Sequence, residues 1–368
     1  MPQERRIHRP AAPHHHRQGA QARTEGAARR RPPAGRSRTL TQLGLSIASH
    51  SGLPPARIGE IAAAAERAGY RAVFVAEGHG DALTLCHPVI AATSTVRVGT
   101  AVANAALRPP VLTAKTAATL DHAAGGRFTL GLGTANSIMN SRFGLAPFAP
   151  LPMIEEYVAV VRAVLAGDTT GFTGQVYSTG PVPLDAPPIR SALPIYLAAL
   201  GPRMQELAGR IADGVILNLM SPDQAGQAVA TVRAAADAAG RDPSSMEILC
   251  VVHVCLCDDA AAAAAAARAV VPRYVLHPAV PALFGEDAGV DLRAARELTL
   301  AGDRVGAAQQ VPQQVADGFV AHGDAAACAA HVAQYRAVGV DLPVLFPMPV
   351  GGHWQYDEVI SSFAAEAG

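Results

Sequence analysis

The chain has few charged residues, no long hydrophobic run and an odd number of cysteines. Of its 368 residues, 16% are charged and 50% are hydrophobic, yet no apolar run approaches the roughly 18 residues that a membrane-spanning helix needs. Five cysteines in a long chain argue against a disulfide framework and for a reducing compartment. The composition therefore predicts a cytoplasmic protein with a large core and no membrane partner.

Basic charge is also scarce outside the first residues. The formal net charge is zero, but residues 1–38 carry ten Arg against Glu4 and Glu25, so the rest of the chain is net acidic. An acidic body has no broad basic face, and we expect no nucleic-acid partner. Residues 1–38 are rich in Arg, Pro, Ala and His and poor in aliphatic side chains. This composition predicts a disordered tail before a folded domain over residues 39–368.

One group of potential metal ligands lies within a predicted strand. Cys250, His253, Cys255 and Cys257 are close in sequence, but residues 248–256 have the pattern of a β-strand. Alternation along a strand sends Cys250 to one face and His253 and Cys255 to the other, so the four side chains do not converge. We expect buried structural cysteines and no metal site.

Short apolar runs alternate with stretches of helical period along the rest of the chain. Residues 194–218, for example, hold a strand, a Gly-Pro turn, a helix and a second strand. The predicted strands are 43–48, 72–76, 96–102, 128–132, 195–199, 215–219, 248–256 and 344–348. Eight such alternations favour the α/β class and a (β/α)8 TIM barrel, with insertions after strands four and seven.

Chemistry in such barrels gathers where the strands end, at the C-terminal face. His50 follows the first predicted strand, and Glu77 and His79 follow the second. Histidine titrates near neutrality and burial can raise the pKa of a carboxyl group, so these three are the candidate proton donors or bases. The alternative for each is a hydrogen bond within its loop.

Two turns at the same face could hold a phosphate. The first is Gly131-x-Gly133 followed by Thr134, and the second, 200–203, opens a helix whose N-terminal amides favour an anion. The first turn is also similar to a Rossmann fingerprint. A Rossmann domain is not favoured, because this turn lies on the fourth strand and the acidic residues downstream begin a helix.

Several segments carry a resemblance to a known family. They are the opening stretch of the predicted barrel and residues 73–81, 92–104, 107–110 and 120–133. In this order and spacing they resemble the bacterial luciferase-like superfamily, and within it the branch that uses the deazaflavin coenzyme F-420. The resemblance covers about residues 39–350. It implies an (α/β)8 barrel that binds a flavin or deazaflavin at its C-terminal mouth.

The resemblance also implies site residues. It places a non-proline cis peptide between Ala101 and Val102, behind the flavin ring. The predicted cofactor-binding set is Ala101, Val102, Asn104, Gly131, Gly133, Thr134, Ala199, Leu200, Gly201, Pro202 and Arg203. One position departs from the pattern: many relatives carry an acid followed directly by a catalytic histidine, whereas here Gly78 follows Glu77 and His79 comes one residue later.

The function that the resemblance implies is hydride transfer between coenzyme F-420 and a small organic substrate. An alternative is an FMN-dependent monooxygenase that uses oxygen and reduced flavin from a separate reductase, and a second alternative is a flavin-binding protein without turnover. Relatives often form homodimers. Arg108, Arg142 and Arg203 are the arginines predicted near the mouth that could hold the acidic tail of the coenzyme. The loops 137–152 and 271–319 contain several aromatic residues and no charged cluster, which suggests an apolar or neutral substrate.

Overall fold

The computed structural model describes residues 42–135, 137–184, 186, 189–190, 192–285 and 289–364. The tail predicted for residues 1–38 lies outside these ranges.

Eight parallel strands close into a barrel. Each strand pairs with the next along the chain, and the last strand pairs with the first, with Gly44 opposite Val344. The strands are β1 (Gly44–Ala48), β2 (Ala72–Ala76), β3 (Arg97–Thr100), β4 (Phe128–Gly133), β5 (Ile195–Ala198), β6 (Gly214–Asn218), β7 (Glu247–Leu256) and β8 (Leu342–Pro347). This arrangement confirms the predicted α/β TIM barrel.

A helix follows each strand and packs on the outside of the barrel. These helices are α1 (Pro55–Arg67), α2 (Ala82–Ala92), α3 (Pro110–Ala123), α4 (Pro150–Leu165), α5 (Pro202–Ile211), α6 (Pro222–Ala238), α7 (Ala325–Ala337) and α8 (Tyr356–Ser362). α2 begins at Ala82, because the Asp81 side chain accepts hydrogen bonds from the amides of Leu83 and Thr84 and caps the helix there.

Two connections between barrel strands are long. The one from β4 to β5 contains the short helix Ser137–Arg142, α4 and a small hairpin of Phe172–Thr173 with Ser178–Thr179. The one from β7 to β8 contains the helices Ala260–Arg268, Val280–Leu283, Arg293–Leu300, Arg304–Gln309 and Gln313–Phe319. Its strand Val320–Gly323 pairs in parallel with β7 outside the barrel ring. Short 3-10 turns lie at Ala105–Leu107, Pro243–Ser245 and Val271–Arg273, and a final hairpin joins Pro349–Val350 to His353–Trp354.

Side chains alternate along the strands between the barrel interior and the helical layer. On β7, Leu249, Val251 and Cys255 belong to the inner cluster, and Cys250 belongs to the cluster beneath the helices. The predicted separation of Cys250 from Cys255 is therefore confirmed, and all five cysteines of the chain are free. Among the described residues, no helix is long and apolar enough to cross a membrane.

The third strand is shorter than its sequence predicts. A continuous strand over 96–102 is wrong, because regular pairing stops at Thr100 and the peptide bond between Ala101 and Val102 is cis. The cis bond itself agrees with the resemblance. Pairing resumes at Ala103–Asn104, which lies beside the end of β4.

The close approach of β3 and β4 predicts that Gly131 tolerates no side chain. A Cβ at Gly131 would lie 1.9 Å from the carbonyl oxygen of Thr100, whereas a Cβ at Gly201 would meet no heavy atom within 4 Å. We expect Gly131→Ala to lower the free energy of unfolding by about 3 kcal/mol or more, and Gly201→Ala to change it by less than about 0.5 kcal/mol. Urea unfolding of the two variants measures the difference. Equal effects would contradict this assignment.

Candidate active site

The ends of β1 and β2 bring His50 against Gly78. A Cβ at Gly78 would lie 2.7 Å from Nδ1 of His50, so the imidazole fills the space that a side chain at position 78 would need. The ring of His79 lies edge-on, with its centroid 6.1 Å from that of His50. The two predicted histidines are therefore neighbours, and the glycine that departs from the family pattern makes room for His50.

The surroundings of His50 keep its ring neutral. Burial, together with the positive charges of Arg273, His79 and Arg304, lowers its pKa from 6.5 to about 4. Its Nε2 lies 3.5 Å from Nη1 of Arg273. A guanidinium can only donate, so Nε2 is the acceptor and the proton resides on Nδ1. At neutral pH His50 is an acceptor toward Arg273 and has no second proton to release.

Glu77, the predicted acid, lies on the other side of Gly78 in a different environment. Burial raises the pKa of its carboxyl group, and the negative charge of Asp81 adds to the effect, while hydrogen bonds from the amides of Asn104 and Ala82 and the charge of Arg108 oppose it. The net shift is upward, so Glu77 retains a proton at higher pH than an exposed glutamate. This is the behaviour of a proton donor or base.

Asn104 connects Glu77 to the loop after β4. Its amide donates to the Glu77 carboxylate, its side-chain nitrogen donates to Oδ1 of Asn140 at 3.0 Å, and Nδ2 of Asn140 donates to the carbonyl of Thr134 at 2.9 Å. Both asparagines are buried. The sequence offered no signal for Asn140, because its partner lies 36 residues away and only the tertiary structure brings the two amides together.

The three arginines predicted near the mouth differ in their availability. Arg108 forms an ion pair with Asp81, the residue that caps α2. Arg142 and Arg203 are exposed. An arginine already paired with a carboxylate has little capacity left for a ligand, so the acidic tail of a coenzyme would meet Arg142 or Arg203 more readily than Arg108.

The Gly131-x-Gly133 turn is packed against β3. The amide of Gly131 donates to Oγ1 of Thr100 at 3.0 Å, so this amide is already used within the sheet. A Cβ at Gly133 would lie 2.7 Å from Cγ2 of Val102. Gly133 and Val102 are therefore in contact at the mouth, whereas Gly131 is buried in the strand. Thr134 is half-buried at the end of the turn.

The segment after β5 lies further around the rim. Ala199 is buried, and its amide donates to the carbonyl of Ile216 on β6 at 3.2 Å. Leu200 and Gly201 are half-buried, and Pro202 and Arg203 are exposed in the first turn of α5. In the described residues no hydrogen bond or ring contact joins this segment to His50 or Glu77, so the structure divides the predicted site residues into two groups.

Positive φ angles mark the same rim. Among the described residues, the non-glycine residues with positive φ are Ala135, at 50°, and Leu219, at 59°. Ala135 follows the end of β4 and Leu219 follows the end of β6. Such conformations are unfavourable for residues with a side chain and are found preferentially at ligand sites.

Three side chains at the mouth were not predicted as site residues. Arg273, from the connection after β7, has its Cζ 6.0 Å from the ring centroid of Trp354, and the Trp354 ring lies 5.7 Å from that of His50. The hydroxyl of Tyr274 lies 2.9 Å from Nε2 of the fully buried His253. Arg273 ends a three-residue 3-10 turn and Trp354 lies in a two-residue hairpin strand, and both elements are too short for periodicity to indicate their position.

The mouth suits a flat polar ligand. Ala101, Val102 and Gly133 present small side chains or none, and Ala101 and Val102 are half-buried. The hydroxyl of Ser49, at the end of β1, is buried and has no hydrogen-bond partner among the described residues. Small residues at the end of β3 and β4 leave room for a planar heterocycle such as a flavin or deazaflavin. In the described part of the chain, no three His, Cys, Asp or Glu side chains are placed to hold a metal ion.

Comparison with known proteins identifies the family. The model of the luciferase-like monooxygenase family matches residues 36–342. The chain belongs to this family. A putative coenzyme F-420-dependent oxidoreductase of Mycobacterium tuberculosis is 31% identical over 332 residues, which cover 83% of this chain and 94% of that protein.

Two further similar proteins are named as reductases. The 5,10-methylenetetrahydromethanopterin reductase of Methanolobus tindarius is 29% identical over 304 residues, covering 81% of this chain and 92% of that protein. The solved coenzyme F-420-dependent tetrahydromethanopterin reductase of Methanopyrus kandleri superposes with a TM-score of 0.79 at 23% identity, over 89% of this chain and 98% of that one. Its likeness supports the barrel fold.

The lowered pKa of His50 predicts a specific loss of stability in acid. Between pH 6.5 and about 4 the unfolded chain binds a proton on His50 that the folded chain does not, so the free energy of unfolding falls as pH decreases through this window. In His50→Asn this part of the pH dependence should disappear. Urea unfolding at several pH values measures it, with His87→Asn, an exposed histidine on α2, as the control. An unchanged slope in His50→Asn would contradict the assignment.

Proposed function

We propose that this protein is an F-420-dependent oxidoreductase that transfers hydride between the deazaflavin and a small organic substrate. The observation that carries the proposal is the 31% identity, over 83% of the chain, to a protein described as F-420-dependent. The alternative is an FMN-dependent monooxygenase, which is favoured by the description of the matching family model. A flavin-binding protein without turnover is less well supported, because the mouth holds an acid whose pKa is raised.

We assign the cofactor to the rim from β3 to β5. Ala101, Val102 and Gly133 would contact the ring, Thr134 would hold its polar edge, and Arg203 would meet its acidic tail. Asn104 would line the same rim and hold Glu77 and Asn140 in place. When bound, the deazaflavin supplies the hydride chemistry. The chain supplies the surface that positions it and excludes water from one side. Ala199, Leu200, Gly201 and Pro202 complete the predicted set, and Gly131 contributes by letting β3 and β4 approach.

Glu77 is the proton donor or acceptor in this proposal. Addition of hydride to a carbonyl or neutral imine carbon leaves an oxygen or nitrogen anion that needs a proton, and the reverse reaction needs a group to remove one. The carboxyl group of Glu77 is half-buried and its pKa is raised, so it holds a proton closer to neutrality than an ordinary glutamate. The fixed amide of Asn104 orients that carboxyl group.

His50 has a different role. With a pKa of about 4 it is neutral at physiological pH, so it is a poor source of a proton. Its Nε2 instead accepts from Arg273 and holds that side chain at the mouth. His79 is exposed beside it and remains a second candidate for proton transfer.

Other expectations stay predictions. A homodimer, a separate reductase that regenerates the reduced coenzyme and a cytoplasmic location are each consistent with the family. Gel filtration, reconstitution with a reductase and localisation of a tagged chain would test them.

Coenzyme choice is tested by fluorescence titration of the full chain with oxidised F-420 and, separately, with FMN. We expect saturable binding of F-420 in the micromolar range or below and much weaker binding of FMN. The matched variant is Gly133→Val, whose side chain would project into the space beside Val102 and should weaken F-420 binding. Preference for FMN would overturn the proposal in favour of the monooxygenase, and binding of neither coenzyme would overturn both.

The role of Glu77 predicts a pH profile. The measurement is the rate at which reduced F-420 is oxidised by each of a panel of ketones, aldehydes and imines. This rate should be constant while Glu77 is protonated, and it should fall as pH rises through the raised pKa of Glu77. Glu77→Gln should slow turnover by about 100-fold and remove this pH dependence, with little effect on F-420 affinity.

The control for Glu77 is Glu358→Gln, an exposed glutamate in the first turn of α8. It should keep the wild-type rate and profile. A pH profile that is the same in Glu77→Gln as in the wild type would assign proton transfer to another group.

A further inference from the structure

Arg273 is a half-buried cation without a carboxylate partner. Its guanidinium has no Asp or Glu oxygen within 4 Å among the described residues, and its polar side-chain contact is Nε2 of His50 at 3.5 Å. Other half-buried arginines either pair with acids or donate to neutral oxygens. Arg127 and Arg241 donate to backbone carbonyls and Arg268 donates to the side chain of Gln313. The acid pairs are Arg97 with Glu247, Arg108 with Asp81, Arg162 with Asp213, Arg190 with Asp121 and Arg233 with Asp341. Removing a guanidinium from water without a counter-ion is unfavourable, so this position points to a ligand.

The charges around Arg273 are also positive. Burial lowers the pKa of its guanidinium, and the charge of Arg304 lowers it further, while the groups that oppose the shift are Tyr274 and Cys255. The charged groups that act on the neighbouring His50 are Arg273, His79 and Arg304. No carboxylate contributes to either set. This side of the mouth therefore has a positive potential that an anion would neutralise.

Packing fixes the position of the guanidinium. Arg273 ends the 3-10 turn Val271–Arg273, and the next residue, Tyr274, is anchored through its hydroxyl to His253 on β7. The His253 ring is enclosed by the rings of Tyr274, Phe319 and Phe346, with centroids 5.3 to 5.8 Å away. The aromatic face of Trp354 lies beside the guanidinium. A cation held this way loses little entropy when it binds an anion.

The cation lies across the mouth from the strand ends assigned to the coenzyme. Gly133 ends β4 and Arg203 follows β5, whereas His50 follows β1 and Trp354 follows β8. In the ring of eight strands, β4 and β5 are opposite β8 and β1. If the acidic tail of the coenzyme lies at β4 and β5, Arg273 faces the ligand in the opposite half of the mouth.

We propose that Arg273, supported by His50 and Arg304, binds a carboxylate or phosphate group of the organic substrate. The assignment to the substrate rests on the proposed function, which places the coenzyme at β3 to β5. It replaces the expectation of an apolar or neutral substrate, because that expectation considered the loop sequence without the position of Arg273 at the mouth. A planar guanidinium suits both oxyanions, and Trp354 forms one wall of the site.

Trp354 provides a direct test, because it is the chain's single tryptophan and lies beside Arg273. Full-length protein without coenzyme is titrated with acetate, with inorganic phosphate and with neutral acetamide while tryptophan emission is recorded. We expect a saturable change with acetate or phosphate and none with acetamide. Arg273→Gln should weaken anion binding at least about tenfold, and Arg273→Lys should weaken it less because the charge remains.

The matched control is Arg293→Gln, an exposed arginine of the same connection, paired with Asp291, which should bind anions like the wild type. Circular dichroism and thermal unfolding check that every variant is folded. If Arg273→Gln misfolds, the anion affinity of Arg273→Lys and the comparison of acetate with acetamide decide whether the site exists. Equal anion binding in wild type and Arg273→Gln, or an equal response to acetamide, would overturn the site.

A second titration, with F-420 already bound, separates the two sources of the anion. Phosphate binding that persists in the loaded protein and depends on Arg273 supports the substrate assignment. Mutual exclusion of phosphate and F-420, with F-420 affinity reduced in Arg273→Gln, would assign the anion to the coenzyme and overturn it. If F-420 does not bind, the proposed function fails, and the second titration is carried out with FMN bound instead. The titration of the protein without coenzyme still decides whether the anion site exists.

Discussion

Closure of the parallel sheet is the constraint on which the rest of the structure depends. Pairing of β8 with both β7 and β1 leaves no free edge in the ring and turns the C-terminal ends of all eight strands to one rim. Closure requires backbones to approach at points where no side chain fits. At Gly99 a Cβ would lie 2.4 Å from the carbonyl oxygen of Thr129, and at Gly131 the corresponding contact with Thr100 is shorter still. These glycines allow the barrel strands to pair, and the site depends on them only through that pairing.

The rim that closure creates has two chemically different halves. Around Glu77 and Asn104 the polar groups are largely satisfied by one another, and the paired Asp81 and Arg108 complete the network. Around His50 and Arg273, no acid among the described residues pairs with the positive charges. Satisfied groups hold a fixed geometry, whereas unsatisfied ones favour a ligand that supplies the missing partner.

Gly78 explains how the chain departs from the family pattern and retains a histidine at the mouth. A side chain at this position would collide with the imidazole of His50, so a histidine following the acid and the present position of His50 exclude each other. His50 follows β1 instead of β2, and burial together with the charge of Arg273 lowers its pKa and keeps it neutral. In the proposed mechanism Glu77 transfers the proton, and His50 lies in the half of the rim that contains Arg273.

The sequence by itself determined the barrel and the residues near its strand ends. Buried parallel strands are short apolar runs and helices have their own period, so both are local signals, and His50, Glu77 and His79 could be located because they directly follow such runs. The predicted bounds of the third strand, 96–102, were less accurate, since regular pairing is confined to Arg97–Thr100. Only the tertiary structure showed that Arg273, Trp354 and Asn140 belong to the site. Their segments are too short to show a pattern of hydrophobic residues, and their partners lie far away along the chain. Closure of the barrel is therefore what brings those charges and rings together.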